Sequence, residues 1–430
     1  MTPDGVGRKT LFCLCGYLFV GSAHTRKELS SLTSGFGGAV RHIKRKKHQS
    51  EKKFLRRCFF MRNVAVVFGG QSAENEISVL TGVFVLNVLD REKYNPIPIY
   101  VHTDGGLYTS SKMFALKTFQ EKRYGYFQRI FLDGGAMYAL NDKKQRIKRI
   151  EKIDVALNCC HGGLGEGGGV SAMMAWNKIP LASPNLTGSG VFLDKCMTKI
   201  VMRGLGVPTL DYVRVNEKDY QKRGAFLFKR IASRLKYPVI VKPAHLGSSI
   251  GISLARDEEE LKKSVELGFQ LDHRLLIEPY LANKKDVNCA VYARKGEIYV
   301  SEPELAFENG IYSFEEKYIK REFSKDGVKG NFKNEVPMSA LTKEMRDKIR
   351  AYTKTIYKRM NLTGVVRMDF LVSDGKAYLS EINTVPGSLA YYLFCERVSD
   401  ARVFFGELIE ESIEGVAEKR IPETNLLYKK

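Results

Sequence analysis

Residues 365–383 read VVRMDFLV, SDGK, AYLSEIN: two alternating runs joined by a short Asp-Gly turn. This pattern predicts a β-hairpin. Side chains two apart on a strand share a face. Arg367 and Asp369 therefore face one way on the first strand, as Glu381 and Asn383 do on the second, while Ile382 faces the other way. Across the hairpin one face gathers two carboxylates, a carboxamide and a guanidinium. Three oxygen-bearing side chains on a buried face are costly without partners. Oxygens grouped like this suit a hard cation such as Mg²⁺, which often takes a few protein oxygens plus nucleotide phosphates. Pro386-Gly387 then ends the strand. The plainer reading, a polar strand end facing water, has to be weighed against the rest of the chain.

At 430 residues the chain is long enough for two or three domains with full cores. Its composition, 44% hydrophobic and 27% charged, has an ordinary globular balance. No uninterrupted apolar run approaches the roughly 20 residues of a membrane span. The formal charge is +21, and residues 1–60 hold 13 Lys+Arg against 3 Asp+Glu, so +10 of it lies there and +11 elsewhere. The remainder favours anionic ligands such as nucleotides, and no motif for RNA or DNA occurs. The eight cysteines form no CxxC pair, which excludes a zinc ribbon or a disulfide framework and points to reduced thiols.

Residues 1–60 differ in character from the rest of the chain. An apolar stretch, Leu11 to His24, sits behind Arg8-Lys9 like a signal-peptide core, and a basic run extends from Arg41 to Arg57. This region reads as a targeting segment, a disordered basic extension, or sequence upstream of a true start at Met61. The last is the expectation.

From Arg62 the chain gives a strand, NVAVVF, a turn, GGQSAENEIS, and a helical run. Glu74 and Glu76 sit beside that helix's N-terminus, either complementing its dipole or, for one of them, holding a substrate ammonium. A second predicted strand, IDVALNCC, enters HGGLGEGGG, where six glycines in nine residues let backbone approach a ligand closely. His161 opens that loop. A lone histidine is more often structural, but a strand's C-terminal end is a common ligand site. In YPVIVKPAHLGSSIGI a buried strand ends at Lys242, and LGSSIG offers N–H groups and hydroxyls to phosphate oxygens without the spacing of a P-loop. RLLIEPYL is another strand, with Glu278 at its end, facing either water or the adenine amino group and ribose of a nucleotide.

In order, VFGGQSAENEIS, NCCHGGLGEGG, LDKCMTK, VIVKPAHLGSSIGI, LIEPYL, SFEEKY, VVRMDF and EINTVPGS resemble the ATP-grasp superfamily, and within it the D-alanine–D-alanine ligase family. The resemblance covers about 370 residues, from Met61 onward. It implies a three-domain α/β ATP-grasp fold: a basic extension at 1–60, an N-terminal α/β substrate domain at 61–180, a central ATP-grasp subdomain at 181–274, and a C-terminal one at 275–430 carrying the metal site and a lid. It implies an ADP-forming carbon–nitrogen ligase that joins two D-alanines through an acylphosphate for peptidoglycan precursors. ATP and two Mg²⁺ ions, with Mn²⁺ able to replace them, would be required. A cytoplasmic homodimer with no nucleic-acid or membrane partner completes the expectation, since the chemistry needs a cytoplasmic nucleotide pool.

Carried over by position, the resemblance gives Lys195, Lys242 and the lid's Lys317 to the ATP phosphates. It gives Glu278 to the adenine pocket and Asp286 to the ribose. Asp369, Glu381 and Asn383 become metal ligands. Arg367 and the Gly387 N–H would stabilise the transferred phosphoryl group and the oxyanion. Glu74 would hold the first ammonium beside His161, with Ser248 and Tyr318 bonding that glutamate and closing the site. Tyr318 in the lid goes with an amino-acid acceptor rather than D-lactate.

Two departures fall near the amino-acid pocket. The family's HGxxGEDG becomes HGGLGEGGG, with Gly167 in the Asp position. Its PGxTxxS becomes PGSLAYYLF, so the serine for the second carboxylate falls at Tyr392, with Ser388 a neighbouring candidate. An alternative acceptor such as D-serine is therefore kept as an expectation.

Overall fold

The computed structural model describes residues 61–141, 146–305 and 341–415. The extension at 1–60 and the lid residues Lys317 and Tyr318 lie outside the described residues.

Three sheets follow one another along the chain. The first has the order β6-β5-β4-β3-β2-β1-β7. It comprises β1 (Arg62–Gly69), β2 (Tyr94–Val101), β3 (Leu107–Thr109), β4 (Gln128–Asp133), β5 (Ala136–Asn141), β6 (Arg146–Lys152) and β7 (Val155–Asn158). β1 pairs in parallel with β2 and β7, and the outer strands are antiparallel. Val64 to Phe68 are fully buried, as the continuous apolar run of a central parallel strand requires. The helix after it, α1 (Asn75–Val88), is buried from Ser78 to Leu86. Its apolar residues pack in one core with Tyr391, Phe404, Phe405 and Leu408 near the C-terminus. Each such aromatic, fully buried, contributes about 1.5–3 kcal/mol.

The second sheet, order β10-β9-β11-β8, holds β8 (Val213–Asn216), β9 (Val239–Pro243), β10 (Ser253–Ala255) and β11 (Arg274–Pro279). α2 (Lys195–Leu205) precedes it. Asp194 caps α2 by accepting from the N–H groups of Cys196 and Met197, and Gly206 ends it at φ 71°. The third sheet runs β13-β12-β15-β16, with β14 also on β12. It comprises β12 (Lys285–Arg294), β13 (Glu297–Val300), β14 (Glu304–Leu305), β15 (Val366–Ser373) and β16 (Lys376–Asn383). All its pairings, like those of the second sheet, are antiparallel. α3 (Lys343–Arg359) packs Met345, Ile349 and Ile356 into the core beneath that sheet.

The expected hairpin is present, with Ser373 opposite Lys376 across the Asp374-Gly375 turn. The strand IDVALNCC is shorter than expected. Its ladder stops at Asn158, whose Oδ1 accepts from the Cys160 N–H at 2.9 Å. That local Asn turn bends the chain before His161.

Candidate active site

The hairpin sets Arg367 opposite Asn383 and Asp369 opposite Glu381, with a bulge just after Asp369. Arg367 donates to both oxygens of Asp369, each at 2.8 Å. Asn383 Nδ2 donates to Asp369 Oδ2 at 3.0 Å, which leaves the carboxamide oxygen for a cation. Burial pushes both carboxyls up. For Glu381 the cations Lys195, Lys242 and Arg367 outweigh burial and hold it below the usual range. For Asp369, burial and the neighbouring Glu381 prevail over Arg367 and keep it above. Two half-buried carboxylates and one amide oxygen on a single face form a donor set that fits a hard divalent cation.

Next to this face, Glu278 is 2% exposed and bridges two lysines. One oxygen pairs with Lys199, the other with Lys242 at 2.7 Å. Burial raises the Glu278 carboxyl, but the two ammonium groups together hold it below its ordinary value. Both oxygens are thus engaged by lysines rather than turned outward. Lys195 donates to the Leu246 carbonyl at 2.5 Å and lies 3.6 Å from Glu381. It therefore joins the loop after β9 to the Asp369–Glu381 face.

His245 anchors that loop. Its ring bonds Asp272 at 3.0 Å and lies 3.4 Å from Asp194, which also pairs with Arg274. These carboxylates, Asp194 foremost, raise the imidazole to about 9. His245, Asp272 and His273 bring candidate ligand atoms within 4.8 Å of one another. A His245 held protonated between two carboxylates is a cation, however, and not a metal ligand. Beyond it, Ser248 and Ser249 both adopt left-handed φ, 50° and 60°.

At the other end lies Glu74, the residue capping α1. Ser248 donates its hydroxyl to Glu74 Oε1 across 174 residues of chain. Two glycines make the approach possible. A Cβ on Gly162 would lie 2.5 Å from Glu74 Oε2, and one on Gly247 would lie 2.9 Å from it. The carboxylate is thus held between the two Gly-rich loops. His161 is 4% exposed, and burial lowers it to about 4, against a bond to the Val385 backbone. Its Nε2 lies 2.9 Å from Thr81 Oγ1. Thr81 Oγ1 also accepts from the Ser388 N–H at 3.3 Å, so it links His161 to the turn after Pro386.

After Pro386 the chain makes a left-handed turn in which Ser388, Leu389 and Ala390 have φ of 48°, 53° and 51°. For L-residues this costs about 1–2 kcal/mol each. Two side chains from distant segments brace the turn: Thr81, and Glu166 of the HGGLGEGGG loop. Glu166 Oε1 accepts from the N–H groups of Thr384 and Val385 at 3.0 and 3.1 Å, and Oε2 accepts from the Gly162 N–H at 2.8 Å. Burial raises its carboxyl to about 7, against those N–H bonds. Tyr392, where the family's serine was expected, accepts a 3.3 Å bond from Arg367 Nη1.

Apart from Lys317 and Tyr318, and from Glu76, which does not line it, the candidate residues from the sequence line one cavity of about 660 Å³. Within it Ser248 bonds Glu74, while Lys195 lies against Glu381 and Lys242 against Glu278. Asp286 pairs with Lys284 at the start of β12.

The family model for the D-ala D-ala ligase N-terminus matches residues 63–184, and that for its C-terminus matches residues 201–414. The chain belongs to the D-alanine–D-alanine ligase family. A D-alanine–D-alanine ligase of Thermosipho melanesiensis is 32% identical over 373 residues, 85% of this chain and 98% of that relative. One from Campylobacter jejuni subsp. doylei is 32% identical over 77% of this chain and 88% of the relative. Among solved structures, the D-alanine–D-alanine ligase of Helicobacter pylori has a TM-score of 0.66 at 25% identity, covering 84% of this chain and all of that one. A D-Ala:D-Ser ligase of Enterococcus faecalis has a TM-score of 0.63 at 21% identity, which speaks for the fold alone.

The sequence reading of this ligase-family chain overlooked four residues. Lys199 follows Lys195 by one helical turn in LDKCMTK, a spacing that marks a shared face. Glu166 stood inside the HGxxGEDG pattern without a role. Thr81 and His245 gave no signal, because their partners are remote in sequence.

Proposed function

We propose that this protein uses ATP to join two D-alanines into D-alanyl-D-alanine, with ADP and phosphate as the other products, supplying peptidoglycan precursors. The observation that carries this reading is one cavity holding a carboxylate for an ammonium, Glu74, and the Arg367–Asp369–Glu381–Asn383 face beside two phosphate lysines.

Glu74, fixed by Ser248, receives the ammonium of the first D-alanine and so orients its carboxylate. Lys195 and Lys242 hold the ATP phosphates. A carboxylate oxygen attacks the γ-phosphorus and ADP leaves, giving an acylphosphate. Arg367 stands where charge accumulates on the transferred group. The amine of the second D-alanine attacks the acyl carbon and loses a proton, and the carbonyl re-forms as phosphate departs. Arg367 and the Gly387 N–H stabilise the intervening oxyanion. Tyr392 and Ser388 face the second substrate's carboxylate. Asp369, Glu381 and Asn383 would hold Mg²⁺, two ions in the full reading and replaceable by Mn²⁺, which would neutralise charge on the β- and γ-phosphates. The lid bearing Lys317 and Tyr318 would exclude water from the acylphosphate. Glu278 borders the adenine pocket and sets Lys242 and Lys199, and Asp286 receives the ribose. The proposed division is 61–180, 181–274 and 275–430, except that β11 pairs with β8 and β9 and so carries the central sheet on to Pro279.

The working protein is read as a cytoplasmic homodimer. Among the described residues, no helix is long and apolar enough to cross a membrane. Incubating the full chain with ATP, Mg²⁺ and D-alanine should yield the dipeptide and one ADP per dipeptide. Formation of product only when D-serine or another acceptor is added would overturn the D-alanine assignment. Sedimentation of the same preparation checks the dimer.

A further inference from the structure

The carboxylate of Glu166 lies where two separate parts of the site meet. It belongs to the loop that opens with His161 and borders Glu74. Its partners outside that loop are all on the turn that leads from the metal strand to Gly387 and Tyr392. Four donors converge on it: the Gly162 N–H at 2.8 Å, the Thr384 N–H at 3.0 Å, the Val385 N–H at 3.1 Å and the Thr384 hydroxyl at 3.3 Å. Thr384 is 1% exposed, so water does not substitute for these bonds. The adjoining turn places three successive L-residues at left-handed φ. Such a conformation persists only where its surroundings over-determine it. Leu389 N–H closes the turn on the Pro386 carbonyl at 2.8 Å, and Ser388 N–H reaches Thr81. Glu166 fixes the two residues just before the turn.

We infer that Glu166 is a positioning residue which sets the 384–390 turn, and through it the acceptor subsite, in register with the loop beside the first amino acid. Only a carboxylate can do this. Three of its four donors are backbone N–H groups, on both of its oxygens. A glutamine offers one oxygen and an NH₂, so either Gly162 or the Thr384–Val385 pair would face a donor. An aspartate keeps both oxygens but is one methylene too short to span the two segments. The consequence falls on the amino-acid end of the site and not on the ATP end, because Lys195 and Lys242 bond to Leu246, Glu381 and Glu278, whereas Gly162 lies against Glu74. This inference rests on the proposed dipeptide synthesis.

The test compares wild type with Glu166→Gln and Glu166→Asp in the full chain, following ADP, phosphate and dipeptide together. Wild type should give one phosphate per dipeptide; failure to form any dipeptide would sink the functional reading itself. With that established, Glu166→Gln should raise the D-alanine concentration needed for half-maximal dipeptide formation about tenfold, while the KM for ATP stays within about twofold. It should also raise the phosphate-to-dipeptide ratio above one, as water attacks acylphosphate that the misplaced amine fails to capture, returning D-alanine and phosphate. A ratio of one with unchanged half-saturation would overturn the inference. So would an equal fall in both products at unchanged KM, the mark of a smaller active fraction. Failure of both variants to fold would assign Glu166 to folding and likewise overturn a positioning role.

Discussion

Arg367 grips Asp369 through two 2.8 Å bonds from two residues away on the same strand. The guanidinium is therefore oriented before any substrate arrives, with its remaining edge toward Tyr392. Preorganisation of this kind matters because the fixed donor needs no reorientation as charge develops.

Arg367→Ala should lower kcat by at least about 100-fold without unfolding the protein, as removal of a preorganised donor does. Arg367→Lys should not restore it, since an ammonium lacks the planar two-pronged geometry. Steady-state rates beside circular dichroism check both. A near-normal rate in either variant contradicts the role given to Arg367.

Glu381→Ala removes one of three grouped oxygens. Turnover should fall to background in the variant at ordinary Mg²⁺. In wild type, a chelator should abolish turnover and added Mg²⁺ or Mn²⁺ should restore it. Persistent activity in chelated wild type argues that Asp369, Glu381 and Asn383 hold no required cation.

Buried Glu278 balances the buried Lys199 and the half-buried Lys242, so Glu278→Gln leaves both without their counter-charge. Breaking a buried pair in this way costs about 3–5 kcal/mol, read as a lower denaturation midpoint. The folded carboxyl lies below its ordinary value. Its contribution is thus present above the unfolded pKa and is lost as pH falls through the depressed folded one. Equal stability of wild type and variant near neutral pH would show that the lysines do not depend on it.

His245 behaves in the opposite sense. Its folded pKa is raised from 6.5 to about 9. The stabilisation is complete below the unfolded value and disappears as pH rises through about 9. At full strength it is worth roughly 3 kcal/mol as an upper bound. Melting curves between pH 6 and 10 should show wild type losing stability relative to His245→Gln. Parallel curves would mean that the contacts to Asp194 and Asp272 carry no charge.

Much of this site was legible along the chain because its residues lie on single strands. Asp369, Glu381, Asn383 and Arg367 are placed by the two-residue period of a strand and one Asp-Gly turn, so alternation alone put them on a common face. Lys242 and Ser248 were legible for the same local reason, a buried strand running into a small-residue loop. What the sequence by itself determined was therefore the hairpin, the Gly-rich loops and the kind of chemistry they suit.

Only the tertiary structure decided how those pieces meet. Folding set Glu278, expected at an adenine pocket, between Lys199 and Lys242 on the wall of the shared cavity, a pairing that its own strand does not announce. Glu74 lies against Gly162 and Gly247 because two loops converge on it, a contact that no local pattern encodes. Glu166 reaches Val385 across 219 residues. Periodicity reports which way a side chain points from its own backbone. Which donor waits there depends on the closure of the whole chain, and that is fixed by packing between elements and not by the order of residues within one.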